Sequence, residues 1–382
     1  MAISSNIPFN SPYLTGDEQS AINEALSAGK IHGDGEFTQK CQRWFTERLG
    51  ASSAHLTGSC TSGLDMASLV AGFGPGDEVL VPDFTFVSSA QCVALRDATP
   101  VLCDIRDDTL NMDETRLEEA LTDKTKAIIP VHYAGVSAEM NSIREFADKH
   151  NLLIIEDAAQ AIGCSYHEKP VGMVGDMSVF SFHSTKNVHC GEGGMVVVNN
   201  PEFSEKCSIA WEKGTDRSRF MEGRVEKYQW QALGSSFLAS EITAAMLSVQ
   251  LNAEQEINDR RRVIWQRYND ALGQYSGSGK IKTPYIPDGV VHNGHMYFII
   301  LPDQNSRSAL ISELEEKNIS AVFHYTPLHE SNGGKKYCKQ GMELRNASDL
   351  PHRLLRLPLY PDLSHDDQSR VIDMVFEFVE RL

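Results

Sequence analysis

Three segments of this 382-residue chain hold side chains whose types and spacing suit chemistry, and the first is a cluster of small residues. Thr57-Gly-Ser-Cys-Thr-Ser-Gly63 stands directly before the helical pattern of residues 64–70. The free N–H groups and the dipole of a helix start attract an anion, so this segment is a candidate phosphate site. An ordinary N-cap is the alternative, although it explains one serine or threonine and not so many small residues together.

The second segment is a strand of buried type that ends in two acids. The apolar run of residues 152–155 is followed by Glu156 and Asp157, at the edge where open α/β sheets bind ligands. A buried carboxylate needs a partner, and a cationic ring nitrogen of a ligand would supply one. The alternative is an aspartate that caps a helix.

The third segment carries a lysine just past a strand. Lys186 follows the strand pattern of residues 178–182, and the glycine-rich run Gly191-Glu-Gly-Gly194 comes next. Loss of water around such a lysine lowers its pKa and makes the amine a nucleophile. A solvated surface lysine is the alternative.

Together the three segments match the needs of one cofactor, pyridoxal phosphate (PLP). Lys186 would bind its aldehyde, Asp157 would keep its pyridine nitrogen protonated, and the helix start would hold its phosphate. The combination predicts a PLP site at the carboxyl edge of a sheet.

The elements that must position these residues alternate along the chain. Helical patterns cover residues 113–121 and 137–150, between strands of almost wholly apolar character. Such strands indicate a mostly parallel sheet covered on both faces, in an α/β fold. The predicted strands are residues 78–81, 100–105, 127–131, 152–156, 178–182 and 195–198.

Helical patterns flank this alternating region, and a smaller α/β unit follows it. A capping box of Thr15 and Glu18 predicts a first helix, and a second spans residues 38–49 and stops at Gly50. We expect a large domain at residues 10–250 and a small one at 251–382, which residues 1–9 would join. The remaining predicted elements are helices 237–251 and 254–272, a loop at 273–288, strand 295–301, helix 306–318, strand 319–323 and a helix from His365.

Composition excludes several classes of partner. The formal charge of −17 opposes binding to nucleic acids and anionic membranes, and no apolar run of about 18 residues or secretory signal is visible. The eight cysteines include no C-x-x-C pair, which favours reduced thiols over disulfides or zinc. We expect a cytoplasmic protein.

Two further patterns do not amount to sites. Gly277-Ser-Gly-Lys280 lacks the first glycine and the Ser/Thr of a P-loop, and a helix instead of a strand precedes it. His324 and His329 have a proline between them and no third ligand at metal spacing, so no metal site is expected.

Ordered motifs along most of the chain resemble a known family. They are IPFNSPYLTGDE, SGKIHGDGEFT, PGDEVLVPDFTFVSSA, PVHYAG, EDAAQ, FSFHSTKN, GEGG, VFHYTPLH and LPLYPDLS. In these the chain resembles the DegT/DnrJ/EryC-type nucleotide-sugar aminotransferases, which are fold-type-I PLP enzymes. The variant motifs SCT, HYAGV and GSS-x-L are most similar to those of transaminases that form dTDP-4-amino-4,6-dideoxygalactose. The resemblance implies a seven-stranded-type sheet, a smaller C-terminal α/β domain and a homodimer.

The same resemblance assigns cofactor contacts, by matching motif. Lys186 is the lysine that binds PLP, and Asp157 pairs with the pyridine nitrogen. Most of the family has G-x-N where Gly234-Ser-Ser236 stands, and that asparagine reaches the phosphate of the neighbouring subunit's cofactor. The other implied cofactor contacts are Gln160 at the ring hydroxyl, Phe86 on the ring, and Cys60, Thr61, Ser181 and Ser236 at the phosphate.

The implied reaction moves an amino group from L-glutamate to C4 of dTDP-4-keto-6-deoxy-D-glucose, for a surface polysaccharide such as lipopolysaccharide. Lys213, Arg217, His324 and Tyr325 are the implied substrate contacts. The galacto product is favoured by resemblance, while the gluco epimer and another nucleotide-linked keto-sugar stay open. A sugar dehydratase of this family would have His in place of Lys186, and a cofactor-binding regulator is the non-enzymatic alternative.

Overall fold

A computed structural model describes residues 6–382 of the chain, which form helices around strands. The α-helices are α1 (Glu18–Ser27), α2 (Glu36–Leu49), α3 (Cys60–Val70), α4 (Ser88–Ala94), α5 (Leu117–Ala120), α6 (Met140–His150), α7 (Ser204–Trp211), α8 (Arg217–Met221), α9 (Glu241–Asn252), α10 (Glu254–Leu272), α11 (Gln304–Glu316), α12 (Asn332–Tyr337), α13 (Arg345–Arg353) and α14 (His365–Arg381). The strands are β1 (Ser53–Thr57), β2 (Glu78–Pro82), β3 (Thr99–Cys103), β4 (Thr125–Ile128), β5 (Leu153–Asp157), β6 (Ser165–Tyr166), β7 (Lys169–Pro170), β8 (Met177–Ser181), β9 (Gly194–Val198), β10 (Val290–Val291), β11 (Tyr297–Ile300), β12 (Lys339–Gln340) and β13 (Leu354–Leu357).

The central sheet has eight strands in the order β1-β9-β8-β5-β4-β2-β3-β12. Only β9 runs against the others, because it pairs antiparallel with both β1 and β8 while the remaining pairs are parallel. The strands β2, β8 and β9 are buried along their whole length, as a sheet with both faces covered requires. The expected mostly parallel α/β fold is confirmed, with the two-residue β12 as an additional edge strand.

Two hydrophobic clusters fill the molecule. The larger one surrounds the central sheet, and the second lies between the β11–β13 pair, α11, α14 and the later turns of α10. Ile7 is fully buried in the second cluster and pairs with Ile319. The division into domains 10–250 and 251–382 stays a prediction, and residues 1–5 of the segment 1–9 lie outside the described residues.

Several predicted element boundaries are wrong by a few residues. Helix α1 begins at Glu18, whose carboxylate accepts hydrogen bonds from the N–H and hydroxyl of Thr15, so Thr15 precedes the helix instead of starting it. Helix α9 begins at Glu241 and not at residue 237, because the Ser240 hydroxyl caps it. Helix α6 starts at Met140 rather than at residue 137.

Two predicted elements differ more strongly from the structure. Residues 113–121 form a 3₁₀ turn and the short α5 instead of one helix. The predicted strand at 319–323 is absent; Ile319 and Val322 each make one isolated bridge, to Ile7 and Arg356. Among residues 6–382, the structure has no helix that is both long and apolar enough to cross a membrane.

Candidate active site

Asp157 is the last residue of β5 and lies beside Val179 of β8. Its side chain is only 5% exposed. One carboxylate oxygen accepts a hydrogen bond from the Ser89 hydroxyl at 2.7 Å, and the other accepts from the Ala159 N–H at 3.1 Å. These two donors orient the carboxylate at the carboxyl end of the sheet.

Lys186 lies in the loop after β8, and its neighbour Asn187 anchors that loop. The Asn187 amide donates to the side-chain oxygen of Asn258 at 2.8 Å and to the Asn293 carbonyl at 3.0 Å. Because both of these bonds use its NH₂ group, its oxygen accepts from Nδ1 of His295 at 2.8 Å. These hydrogen bonds fix Asn187 and thereby the backbone next to Lys186.

The surroundings of Lys186 favour a neutral amine. Burial lowers the pKa of Lys186, and the positive charge of Arg356 acts in the same direction. Cys60 and Asp157 oppose this and raise the pKa, but the net shift is downward. A neutral primary amine is the form that attacks a carbonyl carbon.

The start of α3 forms a cradle of N–H groups. Ser59 caps the helix through a capping box with Ser62. The N–H groups of Cys60 and Thr61 lie in the first turn, where no carbonyl inside the helix can accept a hydrogen bond from them. Gly194 packs against this turn so closely that a Cβ there would lie 2.6 Å from the Cys60 nitrogen.

Ser181 completes the same cradle. It is the last residue of β8 and stands opposite Gly194 in the β8–β9 ladder. The helix start, Gly194 and the hydroxyl of Ser181 thus meet at one place, which suits a phosphate group. The Thr61 hydroxyl is hydrogen-bonded to the Ser88 hydroxyl at 2.8 Å. Thr61 therefore offers its backbone N–H to a phosphate instead of its side chain.

Gln160 connects the acid segment with an aromatic wall. Its side-chain oxygen accepts from the Ala134 N–H at 2.7 Å, and its NH₂ group donates to the Tyr325 hydroxyl at 3.2 Å. Tyr325 stacks on His324 with ring centroids 3.6 Å apart. Phe86 is 53% exposed, with its ring 6.0 Å from that of Tyr325.

His324 is a neutral member of this wall. A hydrogen bond of 2.8 Å joins its Nδ1 to the Tyr133 hydroxyl. Burial lowers the pKa of His324 far below its usual range, and the charges of Arg356 and Lys186 lower it further. The sequence could not show this, because Tyr133 and His324 are far apart in the chain.

A buried hydrogen-bonded pair, Asp83 and His329, lies next to the aromatic wall, and the sequence did not predict it. His329 Nδ1 lies 2.6 Å from a carboxylate oxygen of Asp83, which is fully buried at the end of β2. The His329 N–H donates to the other oxygen at 2.9 Å, and the Leu328 N–H donates to the Asp83 carbonyl at 3.0 Å. The turn after Tyr325 is thereby tied to the central sheet.

Three predicted site residues lie elsewhere in the chain. Lys213, Arg217 and Ser236 line a separate cavity of about 530 Å³, together with His32 and Gly33. None of the residues that surround Lys186 lines that cavity. Ser236 precedes Phe237, whose carbonyl accepts a hydrogen bond at 3.0 Å from the Gly58 N–H, just before the α3 start.

The two cations of this second cavity share one acid. Glu212 is 2% exposed, and its oxygens lie 3.0 Å from Lys213 Nζ and 2.6 Å from an Arg217 nitrogen. Asp34, in the loop before α2, lies 3.9 Å from Arg217. Each cation keeps further N–H groups with which it could bind an anion.

The residues at the sheet edge fit PLP. The cofactor needs an amine for its aldehyde, an acid for its ring nitrogen and N–H donors for its phosphate. Lys186, Asp157 and the first turn of α3 provide these at neighbouring strand ends, and their charges act on one another. The arrangement can bind PLP and present a neutral amine to it.

Comparison with known proteins gives matches over almost the whole chain. The profile of the DegT/DnrJ/EryC1/StrS aminotransferase family matches residues 12–376. The spore coat polysaccharide biosynthesis protein SpsC of Bacillus subtilis (strain 168) is 33% identical over 98% of this chain and 97% of its own length.

Solved structures of aminotransferases also match nearly the whole chain. DesV of S. venezuelae, in complex with a ketimine intermediate, is 30% identical with a TM-score of 0.90, over 99% of this chain and 100% of its own. The aminotransferase TlmJ from Streptoalloteichus hindustanus is 29% identical with a TM-score of 0.89, over 98% of this chain and 99% of its own.

Proposed function

Since the chain belongs to the DegT/DnrJ/EryC1/StrS aminotransferase family and is a sugar aminotransferase that uses PLP, we propose that it aminates a nucleotide-linked keto-sugar at C4. The amino donor is L-glutamate, the acceptor is dTDP-4-keto-6-deoxy-D-glucose, and the product is dTDP-4-amino-4,6-dideoxy-D-galactose. The observation that carries the proposal is the meeting of Lys186, Asp157 and the α3 start at one sheet edge.

The chain's residues divide the work of holding the cofactor. Lys186 binds its aldehyde carbon, Asp157 pairs with its ring nitrogen, and the N–H groups of Cys60 and Thr61 with the Ser181 hydroxyl hold its phosphate. Gln160 and Phe86 flank the ring. When bound there, PLP supplies an electron sink for the carbanion that forms when a proton leaves the donor α-carbon.

Lys186 also moves the proton. Once the donor amine has displaced it, the free amine of Lys186 would accept the proton from the donor α-carbon as general base and would give it, as general acid, to the carbon that was the aldehyde of the cofactor. Burial lowers the pKa of Lys186 and so increases the share of neutral amine, the form that this step requires. In the second half of the cycle, Lys186 transfers the proton in the opposite sense, so that the amine passes to the sugar.

The cavity around Lys213 and Arg217 supports binding of a nucleotide-sugar. A diphosphate carries at least two negative charges, and an arginine can bind it through two parallel N–H groups. Lys186 is not among the residues that line this cavity. We therefore assign both cations, and Ser236, to the site of a second copy of the chain in a homodimer.

The exposed surface near that cavity supports the dimer. Trp230, Leu233 and Met221 are 77%, 68% and 61% exposed, in the segment that follows Arg217. Large apolar side chains exposed together mark an interaction surface.

The proposal is tested by product analysis. The enzyme is incubated with L-glutamate and dTDP-4-keto-6-deoxyglucose, and the product is examined by mass spectrometry and by NMR. An aminated product with a small coupling between the sugar protons H3 and H4 is expected, because the galacto amine is axial and H4 is equatorial. A large coupling would identify the gluco epimer and would overturn the stereochemical part of the proposal.

Other outcomes separate the remaining alternatives. Amination of a UDP- or GDP-linked ketone in place of the dTDP-linked one would refute the substrate and retain the chemistry. A product that has lost water and gained no nitrogen would indicate the dehydratase, which the presence of Lys186 argues against.

Lys149→Ala, on the exposed end of α6, is the matched control for Lys186→Ala and is expected to leave turnover unchanged.

A further inference from the structure

Arg356 is a cation on the inner face of the small β11–β13 sheet. In this antiparallel pair Arg356 stands opposite Phe298. Its neighbours Leu355 and Leu357 are fully buried in the second hydrophobic cluster. Because successive residues of a strand point to opposite faces, Arg356 points away from that cluster, on the face where Phe298 packs 6.0 Å from the ring of Tyr133.

The guanidinium has surroundings that leave its charge uncompensated. It lies over the ring of Phe9 at 4.5 Å, and one NH₂ group donates to the Phe323 carbonyl at 3.3 Å. Its Nε is buried and has no hydrogen-bond partner. Within residues 6–382, no carboxylate lies within ion-pair distance of Arg356.

The groups that Arg356 faces cannot supply the missing negative charge. Its charge acts on Lys186, His324, Tyr133 and Tyr325. Burial keeps the two tyrosines and the histidine neutral, since it raises the pKa of Tyr133 and Tyr325 and lowers that of His324. A partly buried guanidinium without an anion is costly, so its place beside Lys186 indicates a ligand that brings the anion.

We propose that Arg356 binds a carboxylate of the amino donor, a role that rests on the proposed transaminase function. The planar fork of a guanidinium matches a carboxylate through two parallel N–H groups. The phosphate of PLP is already accommodated at the α3 start, and the nucleotide diphosphate has Lys213 and Arg217. Among residues 6–382, the donor carboxylates are then the anions of the reaction to which no other cation has been assigned.

Three variants test the assignment: Arg356→Gln, Arg356→Lys and Arg307→Gln. Arg307 is the matched control, because it also stacks on a ring (5.4 Å from Phe323), donates to a carbonyl (Pro351, 3.4 Å) and has a buried, unpaired Nε. Two quantities are measured: the KM for L-glutamate in the first half-reaction, followed by cofactor absorbance without any sugar, and the Kd of glutarate for the holoenzyme by calorimetry. Glutarate has both carboxylates and no amine, so it binds without reacting.

Arg356→Gln is expected to raise both constants about 10- to 100-fold, as the loss of a charge-assisted hydrogen bond predicts. Arg356→Lys, which retains the charge and loses the fork, should give intermediate values, and Arg307→Gln should match the wild type. The KM for the keto-sugar and the absorbance of bound cofactor should stay unchanged in all three. If Arg356→Gln does not fold, the intermediate constants of Arg356→Lys carry the test.

Two results would overturn the assignment. One is an unchanged glutamate KM and glutarate Kd in a folded Arg356 variant, and the other is a rise confined to the keto-sugar KM, which would place the diphosphate there. Because the half-reaction contains no sugar, an error in the proposed sugar leaves this test intact. A wild type that aminates the sugar while Arg356→Gln keeps its glutamate affinity refutes only the role of Arg356.

Discussion

Glu156→Gln should destabilise the fold while leaving the chemistry in place. Glu156 and His132 are both fully buried, and the carboxylate accepts four hydrogen bonds. One oxygen accepts from His132 Nε2 at 2.9 Å and from the Gly172 N–H at 3.0 Å. The other accepts from the N–H groups of Val174 at 2.8 Å and Gly175 at 2.5 Å.

The magnitude follows from the count of donors that lose their acceptor. Glutamine keeps one oxygen, so two of the four donors would face an NH₂ group instead. Each buried donor left without a partner costs about 1–3 kcal/mol, so the free energy of unfolding should fall by about 2–6 kcal/mol. The matched variant is Asp157→Asn, one residue further along β5, which should lose turnover with a much smaller change in stability.

The difference in the free energy of unfolding between Glu156→Gln and the wild type should depend on pH. Burial by itself raises the pKa of Glu156, but the His132 hydrogen bond and charge and the backbone donors outweigh it, so the pKa of Glu156 lies below 4.5 in the folded protein. A carboxylate with a lowered folded pKa stabilises the fold above its unfolded pKa, and this stabilisation is lost as pH falls through the folded value. The difference in the free energy of unfolding between the two proteins should therefore have its full value at neutral pH and decrease progressively below about pH 4.5.

Thermal unfolding, followed by circular dichroism between pH 3.5 and 7.5, measures this effect, and the glutamate half-reaction measures the chemistry. A melting temperature equal to that of the wild type at pH 7 would refute the role given to Glu156. So would a folded Glu156→Gln that has lost turnover as completely as Asp157→Asn.

Lys186→Ala should lose the absorbance of covalently bound cofactor and at least about 10²-fold in turnover, because both the covalent attachment and the proton transfer depend on its amine; turnover near the wild-type rate would contradict this. Asp83→Asn replaces one of the two oxygens that His329 contacts with an NH₂ group and should loosen the turn after Tyr325, which kinetics would register as a fall in kcat/KM at unchanged cofactor content. A wild-type kcat/KM would show that the pair has no positioning role. Glu241→Ala should lower the melting temperature, because its 2% exposed carboxylate accepts hydrogen bonds from the N–H groups of Gly35, Phe37 and Thr38 at the start of α2. At about 1–3 kcal/mol for each of these three donors the loss is about 3–9 kcal/mol, and an unchanged melting temperature would count against that cap.

Local sequence signals predicted the elements whose ends are marked by nearby residues. Helix α10 has the predicted bounds, and α2 ends before Gly50, which has the left-handed φ of 79° that favours glycine. The buried strands were found because strands covered on both faces are apolar throughout. Strand β1 was missed, since Ser53, His55 and Thr57 make its sequence less apolar than those of the strands that were predicted.

The sequence by itself also predicted which side chains stand at the sheet edge. Lys186 and Asp157 follow apolar strands, and parallel strands place their carboxyl ends together, so their meeting could be predicted. The cradle at Cys60 could be predicted from the small residues at a helix start. These inferences need only the order of elements and the properties of the residue types.

The tertiary structure decided which charges compensate one another. Glu156 and Asp157 are equivalent in the sequence, yet one is enclosed by His132 and backbone N–H groups and the other opens towards Lys186. Neighbouring strand residues point to opposite faces, but what packs on each face depends on distant parts of the chain. For the same reason only the fold shows that, among residues 6–382, the buried Nε of Arg356 has no hydrogen-bond partner, and that the cations at 213 and 217 line a cavity to which Lys186 does not contribute.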